Sequence, residues 1–202
     1  MGSAQNAYNF FVAGHAYGSP TVDNVGFHPR FQNHMNQNHK LFDFGFLTGD
    51  FILHPTEKNW NEVDSIVAEW QPQIHFVAGN HDYGDGVLFE ERSGGSNRFF
   101  RKGHSLFIIL NLTTTGWLIR HDHWKLIQKG LSESENGIDQ IFVFTHQVAY
   151  TNLGPLFRNT QPNSYDGSAG NLKFFETNLK KFRDLAVPVY FVVGDVGVAV
   201  VV

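Results

Sequence analysis

Five short polar motifs in this 202-residue sequence carry side chains that could bind a divalent cation. They are Gly14-His15, Gly49-Asp50, Gly79-Asn80-His81-Asp82, Thr145-His146 and Gly194-Asp195. Carboxylate oxygens, amide oxygens and imidazole nitrogens are the ligands that hard or borderline divalent metals prefer. A glycine beside such a ligand lets the backbone turn sharply and leaves room for an incoming anion. The tetrapeptide is the most specific of the five motifs, because a specified run of four residues rarely arises by chance.

Each motif follows a short apolar run, and these runs are dense in β-branched or aromatic residues. The five runs are residues 10–13, 42–47, 74–78, 141–144 and 189–193, and a sixth run of the same kind covers residues 106–110. Runs of this length and composition predict buried strands. Because the carboxyl ends of strands in an α/β sheet border one crevice, we expect the five motifs to converge there.

Amphipathic stretches between the strands predict helices. Apolar side chains recur at helical spacing at Trp60, Val63, Val67 and Trp70, and again at Leu172, Phe175, Leu179 and Phe182. Alternating strands and helices predict an α/β domain with largely parallel strands. Residues 84–103 and 151–170 are polar and rich in glycine, which predicts long surface loops.

We expect residues 8–202 to form a single domain. Residues 1–7 are interpreted as a tag or a disordered N-terminus, and the apolar run 196–202 as a strand at a sheet edge or the point of a truncation. No apolar run reaches the roughly 18 residues that a membrane span needs. A cytoplasmic protein and one exported after signal removal both fit this sequence, and it does not indicate an oligomeric state.

Composition excludes several classes of function. Hydrophobic residues make up 42% and charged residues 17% of the chain, which excludes an intrinsically disordered protein. The net charge of −4 gives no support for a general nucleic-acid or anionic-membrane binder. The absence of cysteine excludes disulfides, thiolate metal sites and a cysteine nucleophile.

The order of the motifs resembles that of the calcineurin-like metallophosphoesterases. The blocks of that family run Asp-x-His, Gly-Asp, Gly-Asn-His-Asp/Glu, a lone His and Gly-His-x-His. Here the second, third and fourth blocks are intact, whereas the first reads Ala13-Gly14-His15 and the fifth reads Gly194-Asp195-Val196-Gly197. The resemblance covers roughly residues 8–202. It implies a layered α/β sandwich of two mixed β-sheets flanked by helices.

The two altered blocks affect the family's two metal positions unequally. By the resemblance, one metal would take the positions of Ala13, His15, Asp50 and Gly197, so two of its four ligands are missing. The other would take Asp50, Asn80, His146 and Asp195, all of which can coordinate a cation. His15 would then be a remnant of a second site or a phosphate contact. Asp23, Asn24 or His28 could rebuild that site, although a solvated loop is the alternative interpretation of these three residues.

Two carboxylates in one ligand set favour Mn²⁺ or Fe²⁺, with Mg²⁺ and Zn²⁺ as alternatives. The resemblance further implies hydrolysis of a phosphate ester, in which the metal polarises the phosphoryl group and activates a water molecule. His81 would be the general acid, and Asp82 would orient its imidazole. Tyr17 and Tyr150 flank presumed ligands and could line the pocket, although aromatic packing explains them equally well.

The alternative function is a metal- or phosphate-binding module that has lost one metal site and its full activity. The altered first and fifth blocks favour that alternative, whereas the intact His81-Asp82 pair favours the enzyme. The identity of the phosphate ester, and whether it is a monoester or a diester, cannot be derived from the sequence.

Overall fold

Strands and helices alternate along the chain in the computed structural model, which describes residues 7–18, 26–116, 118–133, 137–147, 180–195 and 199–201. The strands are β1 (Phe10–Ala13), β2 (Phe44–Thr48), β3 (Gln73–Val77), β4 (Arg98–Lys102), β5 (Ser105–Ile109), β6 (Gln140–Thr145), β7 (Val189–Val193) and β8 (Ala199–Val201). The helices are α1 (Pro29–Asn38), α2 (Glu57–Ala68), α3 (Asn80–Tyr83), α4 (Val87–Ser93) and α5 (His121–Ser132), and a 3₁₀ turn at His39–Leu41 follows α1.

These strands form two sheets. The first has the order β1-β2-β3, and both of its described pairings are parallel. The second has the order β4-β5-β6-β7-β8, in which β5, β6 and β7 are parallel to one another and the two outer strands are antiparallel to their neighbours. The predicted α/β sandwich of two sheets flanked by helices is confirmed.

Aromatic side chains fill the space between the two sheets. Phe44 and Phe46 of the first sheet pack in one buried cluster with Phe107 and Phe144 of the second. The rings of Phe46 and Phe144 stack with their centroids 3.7 Å apart. Because side chains on a strand alternate between its two faces, the inner layer uses every second residue of each strand.

The outer face of each sheet is covered by helices. Leu47 and Phe76 pack against Trp60 and Val63 of α2 on the first sheet. On the second sheet, β5 turns Leu106 and Ile108 outward, and a cluster that includes α5 covers them. The side chain of Thr56 accepts a hydrogen bond from the amide of Asn59 at 3.3 Å and so caps the start of α2.

Residues 84–103, which were predicted to be a loop, contain α4 and β4 instead. This prediction is wrong because a few apolar residues of this largely polar segment pack into the core. Phe89 of α4 is fully buried, and β4 pairs along its whole length with β5. Arg98, Arg101 and Lys102 are charged, so the sequence of β4 lacks the apolar run that predicts a buried strand.

The predicted helix through Trp70 is confirmed, but it ends two residues earlier, at Ala68. Trp70 is nevertheless buried, and its indole N–H donates to Asn36 at 3.0 Å. The predicted loop 151–170 and most of the predicted helix around Leu172 lie outside the described residues. Among the helices that the structure describes, none combines the length and apolar character needed to cross a bilayer.

Candidate metal centre

The five polar motifs meet at one edge of the sandwich, although their strands belong to different sheets. His15, Asp50 and Asn80 follow the carboxyl ends of β1, β2 and β3 in the first sheet. His146 and Asp195 follow the ends of β6 and β7 in the second. The site is therefore built across the two sheets, and the expected convergence of strand ends involves both of them.

The side chains of His15, Asp50, His146 and Asp195 face one another. Nδ1 of His15 lies 3.5 Å from Oδ2 of Asp50, and its Nε2 lies 3.5 Å from Oδ1 of Asp195. Nε2 of His146 lies 3.4 Å from Oδ1 of Asp50 and 3.9 Å from Oδ1 of Asp195. His15, Asp50 and His146 form a group that could hold a metal ion, with one ligand atom from each within 4.8 Å of the others.

Several polar atoms in this group are buried without a partner. Asp50 is 2% exposed, Asp195 is 6% exposed and His146 is fully buried. Nε2 of His15, Nε2 of His146 and both carboxylate oxygens of Asp195 have no hydrogen-bond partner among the described residues. Such atoms are costly to bury unless something binds them.

The spacing of these atoms suits a shared cation better than direct hydrogen bonds. Separations of 3.4–3.9 Å between nitrogen and oxygen exceed ordinary hydrogen-bond lengths. Ligand atoms bound at ~2.1 Å to one tetrahedral cation stand roughly 3.4 Å apart. The donor set of imidazole nitrogens and carboxylate oxygens therefore fits a divalent metal.

The backbone around the site is closely packed and partly strained. His15 and Asp50 adopt left-handed backbone conformations, with φ of 49° and 55°, which few residues other than glycine adopt. A Cβ on Gly194 would lie 1.6 Å from the carbonyl oxygen of Thr48, so only glycine lets β7 approach β2 this closely. Strained residues of this kind cluster at functional sites, where the surrounding structure holds them in place.

Charges within the group shift the pKa values of two of its members. Burial would raise the pKa of Asp50, but attraction to His146 and, more weakly, to His15 holds it below its usual value. Burial would lower the pKa of His146, but the Asp50 carboxylate beside it raises that pKa. Nδ1 of His146 lies 2.8 Å from the carbonyl oxygen of Thr48, which can only accept, so Nδ1 carries the proton and Nε2 faces the group.

His81 is held by a backbone carbonyl. The prediction that Asp82 orients its imidazole is wrong, because Oδ2 and Oδ1 of Asp82 accept from the amides of Gly79 at 2.8 Å and Phe51 at 3.1 Å. Nδ1 of His81 instead lies 3.3 Å from the carbonyl oxygen of Leu53. The amide of His81 donates to Oδ1 of Asp50 at 3.3 Å, which places the imidazole beside the group of candidate ligands.

Burial raises the pKa of the Asp82 carboxyl to about 7, and the Gly79 amide opposes that rise. Asp82 is fully buried and connects the loops after β2 and β3. Its contacts explain why an acidic residue occupies this position without a role in orienting His81.

The remaining predicted residues occupy varied positions. Asn80 is exposed at the start of α3, and no hydrogen bond among the described residues joins its side chain to the four-residue group. Ala13 packs against the helix-covered face of the first sheet, and Nδ1 of His28 accepts from the amide of Arg30 at 3.2 Å at the start of α1. The predicted positions Asp23, Asn24, Tyr150 and Gly197 lie outside the described residues.

Sequence reasoning missed the carbonyl groups of Thr48 and Leu53, which hold the rings of His146 and His81. A backbone carbonyl has no residue-type signal, so only the fold could reveal these two contacts. Tyr17 was identified from the sequence as a residue near the site, and its ring packs against both His15 and His81. Partial burial and the charge of Asp50 raise the pKa of its phenol.

Comparison with known proteins finds distant similarity between this chain and several solved structures. No family model and no curated protein matches the chain. A conserved uncharacterized protein from Streptococcus pneumoniae, described as a predicted phosphoesterase, is 14% identical with a TM-score of 0.35, over 69% of this chain and 62% of its own. Vps29 from Entamoeba histolytica, complexed with Zn²⁺, is 12% identical with a TM-score of 0.35, over 66% of this chain and 61% of its own.

A third similar structure, Vacuolar Protein Sorting 29 from Cryptosporidium parvum, is 8% identical with a TM-score of 0.36, over 79% of this chain and 69% of its own. The chain therefore spans less than two thirds of the length of the first two proteins. At these scores the likeness assigns no activity to this chain.

Proposed function

We propose that this protein is a metal-dependent hydrolase of phosphate esters. The observation that carries the proposal is a group of buried ligand atoms without hydrogen-bond partners among the described residues. Nε2 of His15 faces Asp195, and Nε2 of His146 faces both Asp50 and Asp195. These four residues would hold one divalent cation, with the Asn80 amide as a further ligand. The motif order supports the proposal, since it resembles that of the calcineurin-like metallophosphoesterases.

His15 joins the same ligand set in this proposal. Its two ring nitrogens lie 3.5 Å from Asp50 and 3.5 Å from Asp195, so it shares both carboxylates with His146. A set of two carboxylates and two imidazoles suits Mn²⁺ or Fe²⁺, with Mg²⁺ or Zn²⁺ as weaker candidates. When bound, the cation supplies Lewis-acid chemistry that polarises a phosphoryl oxygen and makes water a better nucleophile.

His81 would act as the general acid. The carbonyl of Leu53 accepts only, so Nδ1 of His81 must carry a proton, and Nε2 is left as the atom that exchanges a proton with the substrate. The imidazolium form, with a proton on both nitrogens, can therefore donate from Nε2 to the leaving oxygen while Nδ1 keeps its contact with Leu53.

The second candidate function is a binding module that keeps one metal without efficient turnover. Ala13 favours it, since this residue occupies the first ligand position of the family and packs into the helix-covered core. The half-buried imidazole of His81 lies beside the ligand group, and no hydrogen bond from a described residue occupies its Nε2. This arrangement favours the enzyme.

Turnover of two substrates separates the two functions. Metal-free protein is loaded with Mn²⁺, Fe²⁺, Mg²⁺ or Zn²⁺ and mixed with p-nitrophenyl phosphate or bis(p-nitrophenyl) phosphate. We expect hydrolysis with Mn²⁺ or Fe²⁺ that a chelator and Asp50→Asn both abolish. Asn also tolerates the left-handed backbone of this position, so the variant removes charge without added strain. Tight metal binding with no turnover of either substrate would leave only the binding module.

A further inference from the structure

Tyr17 lies between a candidate metal ligand and the candidate general acid. The centroid of its ring is 6.0 Å from that of His15 and 5.6 Å from that of His81, and the planes are tilted by 51° and 50°. A phosphoryl group that binds beside His15 and receives a proton from His81 has to occupy the space that these three rings border. Tyr17 therefore lies next to the space that such a group would enter.

The backbone fixes the position of Tyr17 independently of its hydroxyl. Its amide donates to the carbonyl of Asp50 at 3.2 Å, and a β-bridge joins it to Phe27. Phe27 is fully buried and stacks on Trp70 with the ring centroids 5.4 Å apart. The Tyr17 hydroxyl makes no hydrogen bond to any residue that the structure describes, so none of those residues competes with a ligand for it.

The charges at the site call for an uncharged donor or a cation beside a phosphate. Asp50 and Asp195 place two carboxylates there, and within the described residues both form ion pairs only with histidines. A phosphoryl oxygen needs hydrogen-bond donors as well as the cation. A phenol, with an ordinary pKa near 10, remains protonated at neutral pH and donates without adding charge.

We propose that Tyr17 is a substrate-binding residue whose hydroxyl donates a hydrogen bond to a non-bridging oxygen of the bound phosphoryl group. This inference rests on the proposed function in one respect, namely that the site accepts a phosphate group. The hydroxyl and not the aromatic ring would carry the contact, so Phe at this position removes the contact and keeps the packing against His15 and His81.

Calorimetric titration with inorganic phosphate and with dimethyl phosphate tests this role on the Mn²⁺-loaded protein. The variants are Tyr17→Phe and the matched control Tyr190→Phe, which removes the hydroxyl of a half-buried tyrosine on β7 that stacks on Phe142. Tyr17→Phe should weaken binding of both anions by about 10- to 100-fold, as expected for a hydrogen bond to a charged acceptor. Tyr190→Phe should bind both anions like the wild type, and both variants should keep the wild-type affinity for Mn²⁺.

Three results would overturn the inference. They are equal anion affinity of the wild type and Tyr17→Phe, a loss of Mn²⁺ affinity in Tyr17→Phe that matches its loss of anion affinity, and a wild type that binds neither anion. If the wild type binds phosphate with the expected dependence on Tyr17 but hydrolyses no ester, the role of Tyr17 stands and the proposed hydrolysis fails.

Discussion

The carboxylate of Asp82 connects Phe51 to the start of α3, because one of its oxygens accepts from the Phe51 amide and the other from the Gly79 amide. Phe51 belongs to the loop that carries Asp50, and Gly79 directly precedes Asn80. The contact therefore sets how close two of the candidate ligand loops stand to each other. We expect the loss of this contact to change mainly the stability of the protein and the geometry of the ligand group.

Replacing Asp82 tests that assignment. Asp82→Ala leaves two buried amides without an acceptor, and we expect the free energy of unfolding of the metal-free protein to fall by about 2–4 kcal/mol. Asp82→Asn keeps one acceptor oxygen and should lose roughly half as much. Denaturant unfolding measures both losses. Asp85→Ala is the control, because Asp85 is exposed and, among the described residues, accepts a hydrogen bond only from the Val87 amide, at 3.1 Å. A loss for Asp82→Ala no larger than that of the control would contradict the assignment.

His81→Asn separates metal binding from proton donation. The variant should keep its metal, because His81 is not a proposed ligand, while turnover falls by roughly 10²–10⁴. Alkyl phosphates should lose more activity than p-nitrophenyl phosphate, since nitrophenolate leaves readily without a proton. Steady-state rates on both leaving groups give the comparison. Equal losses would remove the acid role and leave His81 as a phosphate contact.

Gly194 tests the close contact between the two sheets. In Gly194→Ala the new methyl group would lie 1.6 Å from the Thr48 carbonyl oxygen. Relief of this clash requires a shift of the backbone, which is more costly than a change of side-chain rotamer. We expect a loss of about 3 kcal/mol or more in the free energy of unfolding, together with weaker metal binding. Gly94→Ala is the control: φ is 72° and no described atom lies within 4 Å of the new methyl group, so backbone strain of about 1–2 kcal/mol is the expected cost. Similar losses for the two variants would contradict the packing described.

His75 gives the stability a defined pH dependence. It is 8% exposed, and its ring stacks on Phe100 at 4.4 Å. Burial, with smaller contributions from Arg98 and Lys102, lowers its pKa to about 4. Above an unfolded-state pKa near 6.5, His75 is neutral in both the folded and the unfolded state, so its titration does not change the stability there. As the pH falls from 6.5 toward 4, only the unfolded state gains the proton, and stability falls by up to about 3 kcal/mol.

The comparison of His75→Phe with the wild type isolates this contribution. The wild type should lose more unfolding free energy than His75→Phe between pH 7.5 and pH 4.5, measured on metal-free protein by denaturant titration. His121→Gln, a change at an exposed histidine, should follow the wild type. Parallel curves for His75→Phe and the wild type would show that His75 is not held neutral by burial.

The strands and the residues at their ends could be predicted because each apolar run is short, rich in β-branched or aromatic residues and followed by glycine or a polar side chain. Strand β1 and strand β7 were predicted with the bounds that the structure has. Strand β4 was missed because charged residues dominate its sequence, although it forms a hairpin with the next strand, β5, through Gly103 and His104.

The candidate site was predictable in its residue types and not in its hydrogen bonds. Glycines and ligand-type residues at the strand ends indicated where Asp50 and His146 would meet. The grouping of His15 with both Asp50 and Asp195 depends on how the two sheets face each other, which no local pattern encodes. The role expected for Asp82 was wrong because proximity in sequence to His81 does not determine where a carboxylate on a short helix points.

Titration of the metal-free protein with Mn²⁺, followed by electron paramagnetic resonance, tests the central claim most directly. We expect close to one tightly bound Mn²⁺ per chain, and a loss of at least about tenfold in affinity for both Asp50→Asn and Asp195→Asn. Asp122→Asn, at a carboxylate that is 90% exposed on α5, should bind like the wild type. No tight binding by the wild type, or wild-type affinity in Asp195→Asn, would contradict the proposed metal centre.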